Sequence, residues 1–120
     1  MRKAGKKIGI IGLLTDISRV VDINLVGNLK YQEPAGVVNR YAEYLKNEKG
    51  CDLVLCLSHL GFSGDERLAA MIRNVDVIVG GHSHTQIDNL EKVADLDVKD
   101  IVIVQDWCWG LTAGNLKVSF

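Results

Sequence analysis

Apolar positions in this 120-residue chain fall into short continuous runs separated by polar or amphipathic stretches. Lys7 to Leu14 is almost wholly apolar and carries two glycines, the pattern of a strand with both faces covered. Thr15 to Asp22 is polar-rich and irregular, and Ile23 to Leu29 reads as a second, weaker strand. Glu33-Pro34 opens a helix, since Pro in the first turn forgoes only an N–H that has no helical partner there. Val37, Val38, Tyr41, Ala42, Tyr44 and Leu45 follow at helical spacing, with the tyrosines as packing residues, and Gly50 ends the helix. Asp52 to Leu57 is the clearest strand. Gly64-Asp65 then introduces a second helix, with Leu68, Ala69, Met71 and Ile72 on its inner face and Asp65 placed to accept the free N–H groups of its first turn. Val75 to Val79 is the next strand, ended by Gly80-Gly81. Ile101 to Val104 and Leu116 to Phe120 have the look of a hairpin or antiparallel edge.

Strand, helix, strand, helix, strand predicts an α/β fold of βαβ units with mainly parallel strands, closed by a C-terminal antiparallel pair. Residues 1–120 form a single unit, without internal repeat or linker. A hydrophobic fraction of 48% with one Pro excludes a disordered or low-complexity chain. Fourteen basic residues against fifteen acidic ones leave a net charge of −1 and no basic footprint for a nucleic-acid polymer or an anionic membrane. No run approaches the ~20 apolar residues of a membrane span. Arg2, Lys3, Lys6 and Lys7 precede the first apolar run, but Thr15, Asp16 and Ile17 follow it where a signal peptide would carry a cleavage site, so the run is a buried strand. The mean hydropathy of +0.11 is high for so small a chain, and implies apolar surface meant to lie against something else. Cys51, Cys56 and Cys108 are odd in number and form no C-x-x-C pair, which points to neither a disulfide framework nor a zinc finger; Cys56, inside a strand, is a small buried thiol.

The candidate chemistry lies in three histidines. His59 follows the strand that ends at Leu57, and His82 and His84 follow the strand that ends at Val79, in Gly80-Gly81-His82-Ser83-His84-Thr85. Neighbouring parallel strands open on one edge of the sheet, where open α/β sheets bind their ligands. In extended backbone His82 and His84 would project to the same side, so that three imidazoles converge on one small volume. Neutral imidazole is a good donor to Zn, Mn, Fe or Co. The paired glycines let backbone approach closely, and Ser83 and Thr85 stand ready to support the ligands.

Asp52-Leu-Val-Leu-Cys-Leu-Ser-His-Leu-Gly61, Asp65 to Ala70 and Asp76-Val-Ile-Val-Gly-Gly-His-Ser-His-Thr85 closely resemble the 5′-nucleotidase branch of the calcineurin-like metallophosphoesterases. Gly5 to Gly12, Gln105-Asp-Trp-Cys-Trp-Gly110 and Gly114-Asn-Leu-Lys-Val-Ser-Phe120 extend the resemblance to essentially the whole chain. It implies part of an α/β/β/α sandwich, the C-terminal half of the catalytic domain. It also implies a two-metal centre in which His59 and His82 serve one ion and His84 the other, while a bridging hydroxide attacks the phosphorus of a phosphoester, here a nucleotide. The family's opening motifs D-x-H, G-D and G-N-H are unmatched: Gly27-Asn28 precedes Leu29, Gly114-Asn115 precedes Leu116, and no D-x-H occurs. The expectation is therefore a histidine-bearing fragment, inactive alone, that self-associates or pairs with a missing half-domain. By family resemblance its place is periplasmic or at the cell surface.

Other residues carry weaker signals. Asp16, Asp22 and Asp106 read as loop and turn residues, Trp107 and Trp109 as core or sheet-edge packing rather than base-stacking platforms, and Arg67 and Arg73 as helical residues away from the histidines. Two other function classes compete: a non-catalytic metal-binding or assembly module, and an ordinary α/β domain whose histidines bind nothing.

Overall fold

The apolar runs predicted as strands lie side by side in a computed structural model of the chain, which describes residues 1–120 apart from the side chains of Arg19 and Ile23. Six strands form one sheet: β1 (Arg2–Lys3), β2 (Lys6–Leu14), β3 (Leu53–His59), β4 (Val77–Val79), β5 (Glu91–Ala94) and β6 (Asp100–Val104), in the spatial order β1-β2-β3-β4-β6-β5. β2, β3, β4 and β6 are parallel, and β1 and β5 add antiparallel edges. Three α-helices accompany them, after a 3-10 turn over Ile17–Arg19: α1 (Ile23–Val26), α2 (Pro34–Glu43), which continues as a π-helical turn over Tyr44–Glu48, and α3 (Phe62–Ala69). This is a mainly parallel α/β sheet with an antiparallel pair at its edge.

α2 fills the crossover from β2 to β3 and α3 the crossover from β3 to β4. Because the strand order advances without reversing, right-handed crossovers place both helices on the same face. That face holds the core. Ile11, Val54, Cys56, Ile78, Ile101 and Ile103 pack there against Val38, Ala42, Leu68, Ala69 and Ile72. The opposite face is partly bare: Ile10 is 46% exposed, Leu57 48% and Leu14 57%. The first strand is therefore not covered on both sides as its composition predicts, because winding in one direction supplies only one helical layer. Some cover comes from the C-terminal residues. Leu116 shares a cavity with Val79 and Val104, and the Phe120 ring lies 4.9 Å from Lys6 Nζ on β2.

Other departures have local causes. The weak strand predicted over Ile23 to Leu29 is instead the short helix α1, started by the Asp22 carboxylate accepting the Asn24 N–H at 2.8 Å. Leu116 to Phe120 is not a strand, and the antiparallel partner of β6 is β5. The β5–β6 turn is closed by Asp95, whose carboxylate accepts the N–H groups of Asp97 and Lys99 at 2.8 and 2.9 Å. So tight a loop costs less closure entropy than bringing residue 116 back to the same edge. α3 begins before the predicted Gly64-Asp65, with Gly61 (φ 83°) at its cap, and Asp65 lies within it without capping the backbone. Met71 is past its end and 51% exposed. Tyr41 and Tyr44 are exposed too, their rings approached by Arg40 and Lys49.

Candidate functional site

The carboxyl ends of the four parallel strands share one edge of the sheet. β3 ends at His59, opposite Leu14 at the end of β2, and β4 ends at Val79, opposite Val104 at the end of β6. Gly80 leaves β4 with its N–H bonded to Val104 O at 2.8 Å, and the Gly80 to Thr85 segment then curls over the edge. His59 and His82 meet there, ring centroids 5.0 Å apart and planes inclined at 66°. Gly81 permits this, since a Cβ at that position would come 3.2 Å from His59 Nδ1. His84 turns elsewhere and stands edge-on to Trp109, centroids 5.4 Å apart. All three imidazoles are exposed.

The premise that His82 and His84 sit in extended backbone fails, because both adopt left-handed φ, 78° and 54°. The segment turns at each histidine, so the spacing of two no longer puts their side chains on one side. The structure brings together His59 and His82 and leaves His84 against Trp109. Among the described residues no group of three or more His, Cys, Asp or Glu side chains is assembled as metal ligands. A non-Gly residue at positive φ costs on the order of 1–3 kcal/mol, so the surroundings must hold it.

Ser83 and Gln105 do this. Ser83 Oγ accepts the Phe62 N–H at 2.9 Å and pairs with Thr85 Oγ1 at 2.9 Å. Gln105 is 3% exposed, and its neighbours fix the orientation of its amide. With the oxygen toward the segment, it accepts the N–H groups of Thr85 at 2.9 Å and His84 at 3.0 Å, while its nitrogen donates to Ser83 Oγ at 3.2 Å. Ser83 and Thr85 thus support the backbone of the histidine segment rather than the imidazoles.

Behind the edge lies Asp65, fully buried. The Ser58 hydroxyl donates to its Oδ1, and the same hydroxyl accepts the Leu60 N–H at 3.2 Å. Its Oδ2 has no partner among the described residues and faces Gly80, where a Cβ would overlap it. Burial pushes this carboxyl above its ordinary value, opposed by the Ser58 bond. Burial, reinforced by the Asp65 charge, also drives the Cys56 thiol up to about 12, so this sulfur stays protonated. Asp65 and Gln105 were outside the predicted site. A signal for Asp65 was its place one helical turn behind a Ser-His strand end, and for Gln105 its place directly after an apolar strand.

The remaining candidates fall in plain roles. Asp16 and Asp22 accept the N–H groups of Ser18 and Asn24 in local turns, and Asp106 lies against Gly114. Trp107 and Trp109 are 43% and 84% exposed, so neither is a core residue; the Trp107 N–H donates to Thr85 O at 3.2 Å beside the sheet edge.

Fold and edge define the class: an open, mainly parallel α/β sheet with histidines gathered at its carboxyl end. No family model matches the chain. Individual proteins do. An apyrase from Aedes albopictus is 36% identical over 134 residues, 97% of this chain and 23% of that protein. Snake venom 5′-nucleotidase from Crotalus adamanteus is 30% identical over 128 residues, 96% of this chain and 21% of that one. The solved 5′-nucleotidase precursor from Thermus thermophilus superposes with a TM-score of 0.73 at 31% identity, over 89% of this chain and 23% of its own. The chain has the sequence and fold of one segment of the 5′-nucleotidase family, as its histidine motifs imply. It spans about a quarter of the length of the curated relatives it matches, 22% and 24% for two of them.

Proposed function

We propose that this chain is the histidine-bearing part of a metal-dependent phosphoester hydrolase that acts on nucleotides. The observation that carries the reading is the meeting of His59 and His82 at the carboxyl edge of a sheet shared with 5′-nucleotidases. Two exposed imidazoles at this separation suit a divalent ion in donor chemistry, since neutral imidazole nitrogens serve Zn, Mn, Fe and Co alike. They are too few to fill its coordination, so the remaining donors lie outside the assembled pair. A divalent ion held there would polarise a phosphoryl oxygen as a Lewis acid. His59 and His82 bind and orient, Gly81 gives them room, and His84 is the donor left for a second ion. The catalytic acids and bases are not supplied by this pair, and the isolated chain is inactive or nearly so.

The same incompleteness bears on partners and place. The bare side of the sheet, with Ile10, Leu14 and Leu57, supports self-association or pairing with a further half-domain. Among the described residues no helix is long and apolar enough to cross a membrane, and the family resemblance supports a periplasmic or cell-surface place. Calorimetric titration with Zn(II) and Mn(II) tests the metal reading. Uptake by the wild-type chain that falls at least about tenfold, or ~1.4 kcal/mol, in His59→Ala and in His82→Ala is expected. Equal uptake by all three chains sinks it. AMP hydrolysis by the isolated chain at an ordinary enzymatic rate, lost in His82→Ala, would instead show that the site is complete without a partner.

A further inference from the structure

We propose that Gln105 is a positioning residue of the histidine segment: its side-chain oxygen, by taking the N–H groups of His84 and Thr85, fixes the left-handed turn that presents His82 and His84 at the sheet edge. The proposal rests on the functional reading above for its consequence, but on geometry for its substance. Gln105 directly follows β6, the strand beside β4, and its side chain crosses to the neighbouring strand end. It is almost fully buried, so its amide groups cannot turn to water. One oxygen accepts from two consecutive backbone donors, at 3.0 Å from His84 and 2.9 Å from Thr85, and the nitrogen donates to Ser83 Oγ at 3.2 Å.

Ser83 then passes the constraint on. Its oxygen accepts from Gln105 and from the Phe62 N–H, leaving its own proton for Thr85 Oγ1. One buried amide therefore ties the histidine segment both to β6 and to the first turn of α3, whose preceding residues carry His59. Backbone at φ 78° and 54° would relax toward ordinary conformations if these acceptors were lost. His82 would then drift from His59, because their approach depends on the path through Gly80 and Gly81. Gln105 touches neither imidazole and acts only through the backbone.

The test uses the full chain with Gln105→Met, which keeps the length of the side chain and removes both polar groups, and Gln105→Glu, which keeps oxygens for the two N–H groups. Amide exchange by NMR, thermal melting and Zn(II) titration are read together. A lost hydrogen bond of ordinary strength corresponds to about tenfold faster exchange. Gln105→Met is expected to accelerate exchange at His84 and Thr85 by about that factor, to leave Val54 and Ile78 in the central strands unchanged, and to weaken Zn(II) uptake, with Gln105→Glu restoring both. Unchanged exchange at His84 and Thr85 overturns the proposal. So does acceleration spread evenly over the sheet, which a merely structural role would give. Should Gln105→Met fail to fold, Gln105→Asn, one methylene too short to reach, provides the same comparison. If the wild-type chain takes up no Zn(II), the functional reading falls while the exchange pattern still decides the role of Gln105.

Discussion

Gly80, just past the end of β4, is where Asp65 of α3 presses closest on the histidine segment, and replacing it with Ala measures that pressure. The added methyl would fall well under 3.0 Å from Asp65 Oδ2 and 3.4 Å from the Gln105 amide. Neither side yields easily. Asp65 is 0% exposed with Oδ1 held by the Ser58 hydroxyl, and the Gly80 backbone is pinned by its 2.8 Å bond to Val104 O. Overpacking of this kind costs ~1–3 kcal/mol. Relieving it by breaking the Ser58–Asp65 bond would strand a buried acceptor at a similar cost of ~1–3 kcal/mol. Either route comes to about 2 kcal/mol. A chain of this size unfolds with an entropy of about 0.25 kcal/mol/K, so the melting temperature should drop by about 8 °C. Urea titration followed by circular dichroism, at one pH, gives the free energy directly. The cause is isolated by a cycle with Asp65→Ala, because the clash needs both the methyl and the carboxyl. The cost of Gly80→Ala should shrink by ~1 kcal/mol or more in that background. A Gly80→Ala chain within ~0.5 kcal/mol of wild type, or an equal loss in both backgrounds, would refute the reasoning.

Burial raises the Asp65 carboxyl, so the folded chain holds a proton that the unfolded chain releases near pH ~3.9. The resulting stability is complete below that value and is lost as pH rises through the folded value. The stability of wild type relative to Asp65→Asn should therefore fall with pH above ~4, by at most ~1.4 kcal/mol per unit, and a relative rise in denaturant midpoint would contradict it. Cys56, fully buried with its thiol pushed up to about 12, should resist thiol reagents at pH 8 until the chain unfolds, and prompt labelling of the native protein would show the strand to be open. Leu57, 48% exposed, should accept Glu within ~0.5 kcal/mol while lowering any self-association seen in sedimentation, whereas Ile78→Ala, at a fully buried position, should cost ~2–5 kcal/mol. Equal losses in the two variants would mean that the bare face is in fact covered.

The parallel strands were legible because apolar runs such as Asp52 to Leu57 have few alternatives, and Pro34 and Gly50 punctuate α2 by backbone rules that tertiary packing seldom overrides. The histidine edge was legible as well, since parallel order alone puts Leu57-Ser58-His59 and Val79-Gly80-Gly81-His82 at one end. What the pattern missed depended on φ. His82 and His84 were placed by an alternation that holds only for extended chain, and a buried glutamine 21 residues after His84 decides otherwise. The β5 strand was hidden for a different reason. Glu91 to Ala94 is a mostly exposed edge strand with one half-buried residue, and it forms because the Asp95 turn closes so tightly, not because its side chains bury. Asp65, assigned to a helix cap by its position, serves Ser58 instead, since Gly61 begins the helix and leaves Asp65 facing the sheet.

The bare sheet face and the partial histidine site have one cause. A sheet wound in a single direction receives helices on one face only, yet β2 and β3 carry apolar residues on both: Ile11, Val54 and Cys56 toward the helices, Ile10, Leu14, Leu55 and Leu57 away from them. A strand solvated on one face would alternate apolar with polar side chains. This one does not, a pattern that fits the pairing proposed above, and Ile10, Leu14 and Leu57 stay 46%, 57% and 48% exposed on that face. His59 follows Leu57 by two residues and therefore projects from that same face, at its carboxyl end. Any layer that covers Leu57 must also flank His59 and, 5.0 Å from it, His82. On the proposed reading, closing the core and supplying the remaining donors to the imidazole pair would be one packing event, and a partner that performed the first should be recognisable by performing the second.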